Sequence, residues 1–135
     1  MTKKIYIINA NYYEEISDRL VDGAKNFLNE NDIDHEIVNV PGALEIPTVI
    51  NLINNKINAD NFDIGFIAIG CVIRGKTAHF DLISRSVIDA IMNISVESKK
   101  PVGNCILTCF NYKQAVLRKN KGKEAAFALN SILYK

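Results

Sequence analysis

The apolar positions of this chain fall into short continuous runs separated by longer stretches of helical spacing. Lys4-Ile5-Tyr6-Ile7-Ile8 is a β-branched run that reads as a strand. Ile16, Leu20, Val21, Ala24, Phe27 and Leu28 then recur at helical intervals, which predicts an amphipathic helix. His35 to Val40 alternates in polarity and stops at Pro41-Gly42, so a second strand is expected there. Ile46, Val49, Ile50 and Ile53 mark one face of a second helix. Phe62 to Ile73 is the most continuous apolar run, as a central parallel strand covered on both faces requires. A long third helix is expected to open at Thr77 as N-cap and to bury Leu82, Ile83, Val87, Ile88, Ile91 and Ile94. Pro101 precedes a fourth strand, Val102 to Thr108. The chain closes with a helical pattern from Asn111 to about Leu133, broken near Asn120-Lys121-Gly122.

This strict alternation predicts an α/β fold: a three-layer α/β/α sandwich around a four-stranded parallel sheet, flavodoxin-like and doubly wound, with right-handed crossovers. At 135 residues a single domain spanning 1–135 is expected. Ligands of such sheets bind beyond the carboxyl ends of the strands. That directs attention to Asn9 to Tyr13, Pro41 to Glu45, Cys71 to His79 and Thr108 to Asn111.

Composition narrows the function classes. Hydrophobic residues make up 48% and charged residues 23%, the balance of a globular protein. A net charge of +1 argues against nucleic acid or an anionic membrane as partner. Lys119, Lys121 and Lys123 form a small cluster that fits a solvated helix face, with an anion site as the sharper alternative. No apolar run approaches the ~20 residues of a membrane span, and no segment resembles a signal peptide. Cys71, Cys105 and Cys109 show no zinc spacing, so no metal is expected. Lying in or beside apolar runs, they read as buried free thiols in a reducing cytoplasm rather than nucleophiles.

Gly70-Cys71-Val72-Ile73-Arg74-Gly75-Lys76-Thr77 satisfies the phosphate-loop pattern G-x-x-x-x-G-K-[ST]. A triphosphate loop needs its four variable positions to be a turn whose N–H groups wrap the phosphates. Here those positions continue the strand, leaving Arg74 to Thr77 to cradle a single phosphate. The other strands end in Asn9-Ala10-Asn11, Val40-Pro41 and Thr108-Cys109, without the Asp that would hold Mg²⁺. One phosphate at the start of the third helix suits the free N–H groups and dipole there, and His79 in the first turn could exchange protons beside it. The residues alone leave open a capping turn with an idle surface histidine.

Val40-Pro41-Gly42-Ala43-Leu44-Glu45-Ile46-Pro47 and Gly70 to Asp81 together resemble the lumazine synthase family. Ile106-Leu107-Thr108, Gln114-Ala115, Arg118, Asn120-Lys121-Gly122 and Glu124-Ala125-Ala126 extend that resemblance in order, from about Lys4 to the C-terminus. It implies condensation of 5-amino-6-(D-ribitylamino)uracil with 3,4-dihydroxy-2-butanone 4-phosphate, giving 6,7-dimethyl-8-ribityllumazine, phosphate and water without a cofactor. It further implies His79 as the acid–base group and Lys76 and Thr77 in the phosphate turn. Arg118 corresponds to a phosphate clamp whose planar fork suits the role, and Lys121 lies near the phosphate. Tyr12 takes the place of an aromatic stacked on the pyrimidine. Ala43, Leu44 and Glu45 match residues around the ribityl chain, while Cys71, Val72 and Ile73 would offer backbone groups to the pyrimidine.

The family builds its site between subunits, so Asn104, Arg118 and Lys121 are expected to complete the site of a neighbouring chain. Riboflavin synthase is the implied functional partner. The sequence departs from the pattern at Asn104, where a large aromatic is usual, and between Arg118 and Asn120, where only Lys119 remains. It also begins almost directly with the first strand. At Asn104 a polar contact is expected in place of stacking on the pyrimidine, and the last two departures predict a free homopentamer rather than a sixty-subunit shell. A lumazine- or flavin-binding scaffold is the competing reading, disfavoured by the retention of both His79 and Arg118. A phosphoryl-accepting regulatory domain fails for want of acidic residues at the ends of the first and third strands.

Overall fold

The apolar run that stands out in the sequence is the spine of the molecule. In the computed structural model, which describes residues 3–57 and 63–133, Ile64–Ile73 forms strand β3, and Phe62 of the expected run lies outside those residues. Its residues from Ile64 to Gly70 are all buried, because both faces of the sheet are covered by helices. β1 (Lys4–Ala10), β2 (Asp34–Val40) and β4 (Val102–Cys109) pair with it in the order β2-β1-β3-β4, all parallel. This is the doubly wound arrangement that the alternation predicts.

Side-chain alternation along the strands divides the core in two. On one face Ile5, Ile7, Ile67 and Ile69 meet α1 (Glu14–Glu30) and α5 (Lys121–Leu133). On the other, Ile8, Phe66, Ala68 and Ile106 meet α2 (Ile46–Lys56) and α3 (His79–Ser98). α1 presents Ile16, Leu20, Ala24 and Leu28 at four-residue spacing and carries Glu14 and Glu15 in its first turn, where the helix dipole favours them. α3 ends at Lys99 in the left-handed region, φ 59°, and Pro101 prevents its continuation.

The structure modifies three expectations. Leu82 is 67% exposed, and Val87 and Ile91 are the residues of α3 that are fully buried. Helical spacing marks an apolar face without saying whether this chain's own core covers it. α3 begins at His79 rather than at Thr77, although the Thr77 hydroxyl accepts a bond from the His79 N–H at 3.3 Å and so supplies the capping contact. The break in the last helical stretch falls at residues 118–120, between α4 (Tyr112–Leu117) and α5, so Lys121 and Gly122 belong to α5.

Gly122 explains how closely α5 approaches α1. A Cβ at this position would collide with the backbone carbonyl oxygen of Leu20, and a backbone atom cannot swing aside. Gly122→Ala should therefore lower the melting temperature by roughly 5–10 °C, the overpacking penalty exceeding the better helix propensity of alanine. Gly75→Ala is the control: an added Cβ there meets nothing within 4 Å. Its melting temperature should match that of the parent protein in the same thermal scan.

Candidate active site

At the carboxyl end of the sheet, β3 outruns β1. Pairing of β1 with β3 stops at Asn9↔Ile69, whereas β3 stays paired with β4 as far as Ile73↔Cys109. The backbone of residues 70–73 thus has a partner strand on the β4 side and none from β1. The chain that leaves β1 is held toward β2 by the Asn11 N–H, which donates to the Val40 carbonyl at 3.2 Å. A cleft of about 280 Å³ opens in this gap.

Its walls come from four segments. Tyr12 and Tyr13 follow β1. Gly42, Ala43, Leu44 and Glu45 follow β2, the last three forming a single 3-10 turn that runs into α2. Cys71, Val72 and Ile73 are the projecting end of β3, and His79 with Ile83 comes from the first turns of α3. Eight residues singled out from the sequence therefore meet: Tyr12, Ala43, Leu44, Glu45, Cys71, Val72, Ile73 and His79. Tyr13 and Gly42 lie inside the strand-end segments marked above but carried no role of their own, and Ile83 was expected only in the buried stripe of α3. Ile83 had a signal, since it stands four residues from His79 on the same helix face.

Lys76 and Thr77 do not line the cleft; they occupy the exposed turn between the end of β3 and α3. The entry to that turn is fixed by Arg74, whose N–H donates to the Cys109 carbonyl at 2.9 Å. Its guanidinium lies over the Phe110 ring at 5.6 Å. Asn104, Arg118 and Lys121 are also absent from this cleft. Asn104 is exposed on β4, at the edge of the sheet, where its Oδ1 accepts from the Ile106 N–H at 2.9 Å. Arg118 follows the end of α4 and donates to the Gln114 carbonyl at 3.0 Å. The Lys121 ammonium lies 3.4 Å from Glu124 Oε2. All three are exposed, so none is sequestered from a second molecule.

The three cysteines are free, Cys105 and Cys109 buried and Cys71 half-buried. Burial, with a smaller contribution from Cys109, pushes the Cys71 thiol up to about 12. Burial likewise takes Cys105 to about 12 and raises Cys109, each partly opposed by a cation, Lys121 and Arg118 respectively. Thiols held protonated this firmly are poor nucleophiles, so Cys71 contributes backbone and bulk to the cleft floor. Among the described residues no cluster of His, Cys, Asp or Glu could hold a metal ion, and no helix is long and apolar enough to cross a membrane.

A family model described as 6,7-dimethyl-8-ribityllumazine synthase matches residues 2–134. The chain belongs to that family. A protein of Bartonella bacilliformis called 6,7-dimethyl-8-ribityllumazine synthase is 40% identical, the match covering 95% of this chain and 90% of the relative. Relatives of the same name from Bartonella tribocorum and Agrobacterium fabrum are 42% and 40% identical, covering 95% and 92% of this chain and 87% and 88% of their own lengths. Members of the lumazine synthase family are transferases, and the parallel four-stranded sheet is consistent with their flavodoxin-like fold.

The thiol assignments predict a pH dependence of stability. The native state keeps Cys105 protonated to about pH 12, whereas the unfolded chain ionises this thiol from its ordinary value of 9.0. The raised native value therefore stabilises the fold below pH 9 and loses that contribution as pH rises toward 12. The melting temperature should fall through this window, and Cys105→Ala should flatten the fall. Alkylation of Cys71 by iodoacetamide at pH 8 should run on the order of a thousandfold slower than that of a free cysteine, reflecting its thiolate fraction. Rapid labelling of Cys71 in the folded protein would contradict the assignment.

Proposed function

We propose that the protein is a 6,7-dimethyl-8-ribityllumazine synthase acting in riboflavin biosynthesis. It condenses 5-amino-6-(D-ribitylamino)uracil with 3,4-dihydroxy-2-butanone 4-phosphate, releases phosphate and water, and uses no cofactor. The observation that carries this reading is the cleft at the projecting end of β3, with Tyr12 and His79 both on its wall, in a chain of this family. The reaction is a series of proton transfers on substrates that are already activated. Positioning both reactants and supplying one titratable imidazole therefore suffice.

The role of each residue follows from its chemistry. Backbone groups of Cys71, Val72 and Ile73 pair with the polar edge of the pyrimidine, as a neighbouring strand would, and Tyr12 covers the ring. Ala43, Leu44 and Glu45 hold the hydroxylated ribityl chain. His79 moves protons during imine formation and phosphate elimination. Lys76 and Thr77 take the phosphate in the turn before α3, where backbone N–H groups and the helix start favour an anion.

Arg118, Lys121 and Asn104 complete the site of an adjacent chain in a homopentamer, Arg118 clamping the phosphate with its planar fork. Exposed apolar residues support such an association: Leu82, Met92 and Val96 along α3, together with Phe110 and Leu117. The enzyme is one domain spanning 1–135, works in the cytoplasm, and hands its product to riboflavin synthase.

Mixing purified protein with both substrates should generate lumazine absorbance and inorganic phosphate in step; a rate no higher than the spontaneous one would refute the proposal. Arg118→Ala should raise KM for the butanone phosphate about tenfold or more, the loss of a charge-assisted bidentate contact, with little change in KM for the pyrimidine. His79→Ala should slow turnover by less than the ~10²–10⁴-fold of a wholly limiting acid–base group, because the condensation partly proceeds unaided. Native mass measurement should give a pentamer, and a particle of sixty subunits would contradict the assembly.

A further inference from the structure

Tyr12 stands at the mouth of the cleft with 75% of its surface exposed. A ring so exposed has several rotamers open to it, and ordering it during binding would cost affinity. The structure supplies the order in advance. Tyr13 meets Tyr12 edge-on, with ring centroids 4.9 Å apart and planes at 85°. Tyr112, the first residue of α4, meets Tyr13 in turn at 6.3 Å and 68°. The Tyr112 hydroxyl donates to Glu15 Oε2 at 3.2 Å, and Glu15 Oε1 accepts from the Arg19 guanidinium at 3.4 Å.

These contacts run from the surface of α1, through the start of α4, to the ring that faces the cleft. The two inner tyrosines are each anchored at a helix start. Tyr13 immediately precedes α1, its carbonyl accepting the Ser17 N–H at 2.9 Å. Tyr112 follows the Asn111 cap, whose side chain accepts the Gln114 N–H at 2.9 Å. Tyr13 is half-buried and packs against the core, which seats its ring, but core stability does not account for the contacts on either side of it. Tyr12 and Tyr112 are exposed, and the Tyr112–Glu15 bond lies in water, where such a bond adds little to folding.

We infer that Tyr13 is a positioning residue: its ring, held by Tyr112 hydrogen-bonded to Glu15, sets the plane of Tyr12 before the heteroaromatic substrate arrives. The identity of that substrate rests on the proposed function; the ordering of Tyr12 in the free protein does not. A preset aromatic wall should favour the pyrimidine and leave the binding of the phosphorylated substrate alone.

Steady-state kinetics and ring-proton NMR of selectively labelled tyrosine test this. Tyr13→Ala should raise KM for the pyrimidine about three- to tenfold while kcat and KM for the butanone phosphate stay within about twofold. Tyr13→Phe keeps the ring edge and should hold the pyrimidine KM near the parent value. Tyr112→Phe, which removes only the hydroxyl, should raise it about twofold. An unchanged pyrimidine KM in Tyr13→Ala, or an equal rise in both KM values, would overturn the inference.

Without substrate, Tyr12 in the parent protein should give one set of ring signals displaced by its neighbour, collapsing to free-tyrosine positions in Tyr13→Ala. Free-tyrosine positions in the parent would also overturn it. A protein that makes no lumazine would refute the proposed function, and the NMR comparison would still decide the role of Tyr13.

Discussion

The arrangement of the candidate site depends on a mismatch in strand length. β3 is ten residues long and β1 seven, and their pairing ends at Asn9↔Ile69. In a parallel sheet each unpaired strand edge offers a row of backbone donors and acceptors that must find partners. Most folds hide such an edge or pair it with another strand. Here the edge is continuous with the buried spine of the molecule, so it is rigid, and its open side forms the floor of a cleft. A flat heterocycle with amide-like edges is the kind of partner it suits.

Everything else around the cleft is placed relative to that projecting strand. Because β4 accompanies β3 to Ile73, the turn that follows is tethered through the Arg74 N–H bond to Cys109. The Thr77 hydroxyl then caps the start of α3 two residues before His79, so the imidazole emerges beside the strand end. On the opposite side the Asn11–Val40 bond draws the segment after β1 toward β2 and holds the gap open. The cysteines among these strands stay protonated, and the His79 imidazole lies on the wall of the same cleft.

The alternation of runs and periodic faces was enough to recover element order and sheet class, because β1, β3 and β4 are mostly apolar runs, β2 alternates in polarity at the sheet edge, and the long helices are amphipathic. Register was not legible: the projection of β3 is set by which residues pair, and the apolar run itself continues smoothly through it. Leu82 shows a second limit, since an apolar residue at helical spacing looks the same whether it faces the core or a surface open to another molecule. The cleft residues after β1, β2 and β3 were legible because their motifs sit at strand ends, where this topology gathers ligands. Tyr13 lies in the first of those segments, but its role was not legible, because that role depends on Tyr112, distant in sequence and brought near by the fold. Asn104, Arg118 and Lys121 were picked out by resemblance, and they stand clear of the cleft in their own chain.

The claim that the unpaired end of β3 holds the pyrimidine is tested most directly by a crystal structure of the protein with 5-amino-6-(D-ribitylamino)uracil bound. The account predicts hydrogen bonds from backbone groups of residues 71–73 to the pyrimidine edge, with the ring against Tyr12 and the ribityl chain along residues 43–45. A pyrimidine bound elsewhere, or in this cleft with no contact to the β3 backbone, would contradict it.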